Sequence, residues 1–423
     1  MAYLSTQPYK GTRDFFPEDM RFREAMFSVM HRVVRQYGFD QIDAPIVEPI
    51  DVYLAKTSEE IVGQQIYSFT DRGDRKVAIR PEMTPTVARM VAARFHETPK
   101  PIRWYSIPNV WRYEQPGKGR LREHWQLNCD LFGAVSEKLG DLEILSLAVD
   151  LLRGYGADAS QFRLYLSHRS ILNGVLGGEL KLPQEKWPAI ARIMDKKAKV
   201  KPEAYVAMLE AEGVTALQRA ELDFFLLERV DYLKKKYHLE GASYVIELMD
   251  ELKNLGLDEF VEYDPSVVRG FDYYTGLVFE VFDTHPENRR SLFGGGRYNN
   301  LVGAFGKETL NAVGFGMGDV TLEDFLRTHQ LLTEQPRKVD LYIALLDEKL
   351  GGHALALARK LRARGLSVEV SLGAGKLGKQ FQEAEKKQIA RVIILGEDEA
   401  ASGVYAVKTL ATGDQAKLTA EQI

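Results

Sequence analysis

The chain has 423 residues, 56 Lys and Arg against 60 Asp and Glu for a formal net charge of −4, and 45% hydrophobic residues. That length exceeds one ordinary domain and predicts two to three folding units, while the absence of any apolar run of roughly 18 residues excludes a conventional membrane-spanning helix. One cysteine, Cys129, leaves no partner for an intrachain disulfide or a cysteine-based zinc cluster, and the slightly negative charge argues against capture of nucleic acid by the protein as a whole.

The opening Met-Ala-Tyr-Leu-Ser-Thr-Gln lacks the charged-then-apolar order of a secretory signal, so a cytoplasmic location is expected. Phe16-Pro17-Glu18-Asp19 then starts a helix. Proline suits the first turn, the acids suit the positive end of the dipole, and Phe22, Met26, Val29, Met30, Val33 and Tyr37 recur at helical spacing up to Gly38. Short segments rich in β-branched and aromatic residues follow, among them Val77-Ala78-Ile79 and Ile102–Ile107, and read as antiparallel strands.

Between about 168 and 258 the pattern turns to Lys- and Glu-rich helical periodicity, and strand signal returns in 271–282, as expected of a helical insertion into one sheet domain. A polar linker is predicted over 326–336. Beyond it, strands at 339–345, 367–370 and 392–395 alternate with helices at 352–364 and 377–388, the order of a small α/β domain with a parallel sheet. Residues 337–423 carry fourteen Lys and Arg against eleven Asp and Glu, so this part is the more basic and the more suited to a polyanion. The fold class read here is α+β, an antiparallel sheet domain over 1–325 with its helical insertion, followed by the α/β domain over 337–423.

The stretch Asn109–Gly133 is the most informative. Two strands joined by Gln115-Pro116-Gly117-Lys118-Gly119 place Arg112, Glu114, Arg122, His124, Gln126, Asn128 and Asp130 on one face, and Trp111, Tyr113, Trp125, Leu127, Cys129 and Leu131 on the other. A solvated face is the ordinary fate of such a polar row. Here it holds no Lys or Thr but arginines, carboxylates, an imidazole and amides, all with directional hydrogen bonds, which fits a floor that binds a phosphate and an amine. Arg269-Gly270-Phe271-Asp272-Tyr273-Tyr274-Thr275-Gly276 could lend a tyrosine hydroxyl to a pocket or simply pack. Gly294-Gly295-Gly296-Arg297-Tyr298 allows close approach of a backbone to a ligand or to another strand. In Arg80-Pro81-Glu82-Met83-Thr84-Pro85 an acid and a hydroxyl sit between prolines, suited to an ammonium group or to a helix cap.

In this order the segments resemble the histidyl-tRNA synthetases, class II aminoacyl-tRNA synthetases, over nearly the whole chain. Gly11-Thr12-Arg13-Asp14 through Pro45 resembles the first class motif, which forms the family's homodimer interface; Arg112 through Asp130 resembles the second; Arg269–Gly276 and Gly294–Tyr298 resemble the two signatures of the histidine enzyme. The resemblance implies a ligase that activates L-histidine with ATP and Mg²⁺ and transfers it to tRNA(His). It implies Glu82 and Thr84 at the histidine amino group, and Gln126, Asp130, Tyr273 and Tyr274 around its imidazole. Arg112 and Arg269 would flank the α-phosphate and the carboxylate, with Glu114, Arg120 and Arg122 at the rest of ATP.

It also implies an anticodon-binding role for 337–423 and a grip on the tRNA acceptor arm for the insertion. Thr321 stands where class II enzymes usually carry an ATP-stacking arginine, and Arg297 is the expected substitute. The rival reading is the histidine-binding regulatory paralogue of ATP phosphoribosyltransferase, which charges no tRNA.

Overall fold

The computed structural model describes residues 4–54, 65–117, 119–197, 200–237, 239–267, 274–288, 290–336 and 339–423. They group into two compact units, one of the residues up to Asp14 with Met26–Thr333, the other of Phe15–Ala25 with Glu334–Ile423. The second unit thus takes Phe15–Ala25, the start of the first helix, as well as the C-terminal residues, and within it Arg21 Nε donates to the Gln335 carbonyl at 2.9 Å.

Helix α1 (Pro17–Gln36) starts on the predicted proline and acids and buries Phe22, Met26, Met30 and Val33. Gly38, with φ 74°, ends it in the left-handed conformation that glycine adopts without a Cβ clash. Strand β1 (Asp40–Gln41) follows. Then β2 (Val47–Pro49), a one-turn α2 (Asp51–Leu54), β3 (Tyr67–Thr70) and β4 (Lys76–Ile79) give a small antiparallel sheet in the order β2-β4-β3. Helix α3 (Thr84–Ala93) leads to β5 (Ile102–Ser106), β6 (Asn109–Trp111) and β7 (Glu123–Phe132), then α4 (Glu137–Arg153), whose N-terminus Ser136 caps by accepting from Leu139 N.

After β8 (Phe162–His168) come six helices: α5 (Arg169–Gly174), α6 (Trp187–Asp195), α7 (Pro202–Ala211), α8 (Ala216–Phe225), α9 (Val230–Tyr237) and α10 (Glu240–Asn254). Strands β9 (Val261–Tyr263), β10 (Leu277–Asp283), β11 (Ser291–Arg297) and β12 (Ala312–Gly318) complete the large sheet, and α11 (Asp319–Thr328) follows directly. The sheet order is β1-β5-β7-β12-β11-β10-β8-β9, with β6 beside β7, and only the outer pairs β1/β5 and β8/β9 are parallel. Strands β8 and β10 are hydrogen-bonded neighbours from Leu277↔His168 to Asp283↔Phe162. The six helices thus form an insertion into one sheet, as the change of periodicity predicted: the chain leaves at the His168 end of β8, returns through the parallel strand β9, and then runs back along β8 as β10.

Two expectations need correcting. The linker predicted from residue 326 starts too early: α11 runs to Thr328 because Leu326 continues the buried row of Leu322 and Phe325. The C-terminal sheet is mixed rather than parallel. Strands β13 (Leu341–Leu345), β14 (Val368–Val370) and β15 (Arg391–Leu395) are parallel, but β16 (Val404–Thr409) and β17 (Gln415–Thr419) add antiparallel strands in the order β14-β13-β15-β16-β17. Helices α12 (Gly351–Ala363), α13 (Leu377–Lys386) and the short α14 (Glu397–Ser402) accompany it, with Leu357, Leu361, Ile343 and Ile393 in its core. No helix among the described residues is long and apolar enough to cross a membrane.

One buried carboxylate holds three distant segments of the first unit together. Asp319 pairs with Arg13 Nη2 at 2.6 Å through Oδ2 and accepts the backbone N–H of Trp125 at 2.9 Å through Oδ1. Arg13→Ala would leave that carboxylate buried without its cation, and the first unit should lose about 3–5 kcal/mol of stability. Denaturant titration measures this, and a loss below about 1 kcal/mol would mean the Trp125 amide suffices alone.

Candidate active site

A cleft of about 210 Å³ lies on one face of the large sheet. Its floor comes from three neighbouring strands: His124 and Gln126 on β7, Gly314, Gly316 and Gly318 on β12, and Gly294 on β11, with Tyr298 just beyond. The register pairs Gly316 with Asn128, Gly318 with Gln126 and Gly294 with Gly316, so the glycines fall together on the cleft face. Their bareness is required. A Cβ on Gly316 would come within 1.8 Å of Gln126 Nε2, and one on Gly314 within 2.7 Å of Tyr298 Oη.

The walls come from the turn before α3 and from the loop between β6 and β7. Glu82 and Thr84 line the cleft, and Glu82 is almost fully buried. Arg112 is fixed by one contact, Nε donating to the Pro81 carbonyl at 2.8 Å, and its two Nη nitrogens have no partner among the described residues. Arg80 braces the same turn from behind, donating to Asn109 O at 2.8 Å and Ala44 O at 2.7 Å. Arg120 lies at the mouth, its Nε 3.4 Å from Glu114 Oε2. Burial, reinforced by the Arg112 charge, pushes the His124 imidazole down to about 3, so the floor histidine is neutral.

Of the residues singled out in the sequence, Glu82, Thr84, Arg112, Glu114, Arg120, Gln126 and Tyr274 converge on this cleft. Arg269 and Tyr273 lie outside the described residues. Asp130 sits beneath the floor rather than in it, fully buried and accepting the Tyr298 hydroxyl. Burial pushes its carboxyl up to about 7, an effect the Tyr298 hydrogen bond opposes and the Glu82 charge adds to.

The two other arginines go elsewhere. Arg122 precedes β7 and so escapes its alternation: its guanidinium lies 4.0 Å over the Tyr113 ring, and Nη1 donates to Tyr9 Oη at 2.8 Å. For the same reason Tyr113, expected in the core, is 51% exposed, because β6 ends at Trp111. Arg297 is placed by parity on the opposite face of β11 from Gly294 and Tyr298. There it is locked to Asp141 at 2.5 Å and to the Glu137 carbonyl at 2.7 Å, while Tyr244 of α10 donates to the same carboxylate at 2.5 Å. It cannot reach the cleft and is not the substitute for the arginine missing at Thr321. His124 lines the floor on the face that alternation gave it, whereas Tyr298 was read only as part of a glycine-rich segment, although its parity with Gly294 carried the signal.

Residues 11–320 match the family model described as histidyl-tRNA synthetase, and 340–423 match the one described as anticodon binding domain. With the mostly antiparallel sheet and its glycine-floored cleft, this makes the protein an aminoacyl-tRNA synthetase of class II. A curated histidine–tRNA ligase of Leptospira biflexa is 49% identical over 97% of this chain and 95% of its own. By fold the chain is similar to a histidyl-tRNA synthetase from Nostoc sp. PCC 7120, with TM-score 0.80, 24% identity and coverage of 99% of this chain and 98% of that one. It is also similar to a Bacillus halodurans protein described as an ATP phosphoribosyltransferase regulatory subunit/histidyl-tRNA synthetase, with TM-score 0.76, 22% identity and coverage of 93% and 99%. The chain belongs to the histidyl-tRNA synthetase family.

Two outcomes check the site. Gly316→Ala should displace the Gln126 amide and raise the KM for histidine at least roughly tenfold with the fold intact by circular dichroism, since a 1 Å misplacement in such a site costs on the order of 10²-fold. Asp130, with its folded-state value near 7 against an ordinary 3.8, keeps a proton the unfolded chain has released. Its contribution to stability is therefore full below pH 3.8 and lost as pH rises through about 7. Asp130→Asn should remove this part of the decline, on the order of a few kcal/mol, and parallel stability–pH curves for the two proteins would contradict the assignment.

Proposed function

We propose that the cleft binds histidine and ATP side by side and joins them, an oxygen of the histidine carboxylate attacking the α-phosphorus while pyrophosphate leaves. A terminal ribose hydroxyl of tRNA(His) then attacks the histidyl carbonyl and AMP departs. The observation that carries this reading is Arg112: among the described residues its side chain is held through Nε alone, and its two Nη nitrogens stay unpartnered beside Glu82 and Thr84. Such a guanidinium, positioned before the reaction starts, neutralises charge that builds on the phosphate and carboxylate oxygens.

In this scheme Glu82 and Thr84 hold the histidine ammonium, and Gln126, Tyr273 and Tyr274 select its imidazole. Asp130 acts through Tyr298, fixing the hydroxyl at the pocket's end. A pocket built to bond both ring nitrogens rejects apolar isosteres, which would leave its polar groups unpaired. Arg269 is assigned to the α-phosphate by family resemblance alone, and Arg120 takes the outer phosphates. Mg²⁺ arrives with ATP. Glu114 is the cleft carboxylate left to join its phosphate and water ligands, and among the described residues no group of three metal-binding side chains forms a site of its own. The metal supplies charge neutralisation on the departing pyrophosphate.

The C-terminal unit engages the anticodon of the tRNA, supported by its family match and its basic composition. Homodimer formation through the segment around 11–45 has the support of the exposed apolar side chains Ile46, Val47, Leu54 and Phe69 near that segment. Action in the cytoplasm completes the reading.

Histidine-dependent exchange of pyrophosphate into ATP, followed by charging of tRNA, tests it. Arg112→Gln should lower kcat for exchange by roughly 10²–10³-fold, the range for losing one preorganised donor. Histidine binding by the unaltered protein with neither exchange nor charging would instead identify the regulatory paralogue.

A further inference from the structure

A second, smaller cavity of about 150 Å³ opens beside the cleft and shares Gly119, Leu292 and Thr321 with it. Arg290, Glu287 and Asp324 complete its wall. Thr321 spends its hydroxyl proton on the protein, Oγ1 donating to the Leu292 carbonyl at 2.7 Å. Its methyl instead faces the annex, 3.5 Å from where a Cβ on Gly119 would stand, and Arg290 Cδ is 3.6 Å from that same point. A bare glycine, a threonine methyl and the stem of an arginine thus frame one gap. At the doorway, a Cβ on Gly318 would lie 3.8 Å from His124 Cδ2 and 3.9 Å from Thr321 Oγ1, so the neutral imidazole borders the entrance.

Arg290 itself is exposed and makes no hydrogen bond or ion pair among the described residues, although two carboxylates line the same cavity. Its guanidinium is therefore uncommitted to any described protein group while its stem borders the gap. We propose that Arg290 is a nucleotide-binding residue that lays its guanidinium on the purine ring of ATP lodged in this annex, filling the space that the short Thr321 side chain leaves open. A planar guanidinium stacks on an aromatic face, which an ammonium does less well. Glu287 and Asp324 set the base preference, since carboxylates accept from the 6-amino group of adenine and repel the 6-oxo group of guanine.

This inference rests on the reading of the cleft as a histidine and ATP site. Arg290→Ala and Arg290→Lys should each raise the KM for ATP in pyrophosphate exchange by roughly 5- to 30-fold, the range for losing a cation–π contact. The KM for histidine and the melting temperature should stay put, because Arg290 touches neither the amino-acid end of the cleft nor any described side-chain partner. Adding Thr321→Arg to Arg290→Ala should recover most of the loss, since the new side chain enters the same gap from the other wall. An unchanged KM for ATP in Arg290→Ala overturns the proposal, and so does full activity of Arg290→Lys, which would reduce the residue to a point charge near phosphate. Calorimetric titration of both proteins with ATP repeats the comparison without catalysis. Loss of affinity in Arg290→Ala there would support the annex even if the unaltered enzyme showed no histidine-dependent exchange, an outcome that would defeat only the wider reading.

Discussion

The cleft depends on two adjacent strands whose shared face is mostly glycine. Along β11 and β12, Gly294, Gly314, Gly316 and Gly318 leave the backbone bare, while the alternate positions Phe293, Phe315 and Met317 are buried on the other side. Glycine weakens a strand because it loses more freedom on folding and packs nothing. Here the cost is offset across the sheet, where the Phe293 and Phe315 rings meet at 5.5 Å and Phe279 stands 6.3 Å from Phe315. One face is therefore overbuilt so that the other can be empty.

The arginines divide along the same line. Arg13, Arg80 and Arg297 spend their donors on protein groups and hold segments in place. Arg112 keeps two nitrogens unpartnered among the described residues, and Arg290 keeps its whole guanidinium so. Beside a substrate cleft, donors left in this way mark where a ligand completes the hydrogen bonding. Arg297 also ties the last helix of the insertion to the strand that borders the cleft, because Tyr244 and Arg297 share the Asp141 carboxylate.

Much of this was legible in the residues. Helix α1 could be read from its proline, its acids and its apolar spacing; the helical insertion from a change of period; and the cleft face of β7 from alternation that brought Gln126 to the lining. What failed did so where alternation has no physical hold. Arg122 and Tyr113 lie in the loop between β6 and β7, where no ladder fixes which way a side chain points. Arg297 was misjudged for the opposite reason: it is inside a strand, and its odd position relative to Gly294 should have sent it to the far face. Asp319 gave no signal, because its partners Arg13 and Trp125 lie 306 and 194 residues away in the chain. Strand β17 was missed in a stretch whose apolar pattern is weak, exposed over Gln415, Ala416 and Lys417, whereas β16 carried an ordinary strand signal in Val404-Tyr405-Ala406-Val407 that went unread.

The sheet order sets a timetable for synthesis. Strand β7 ends at Phe132, but β12, which lies against it, begins only at Ala312, with the six insertion helices made in between. At the usual pace of roughly 5–20 residues per second, the ribosome leaves this edge of β7 waiting on the order of ten seconds or more. During that interval its hydrogen-bonding row is open to any extended segment nearby. The floor of the cleft is consequently among the last parts of the first unit to close, so no N-terminal fragment can hold substrate before β12 has emerged.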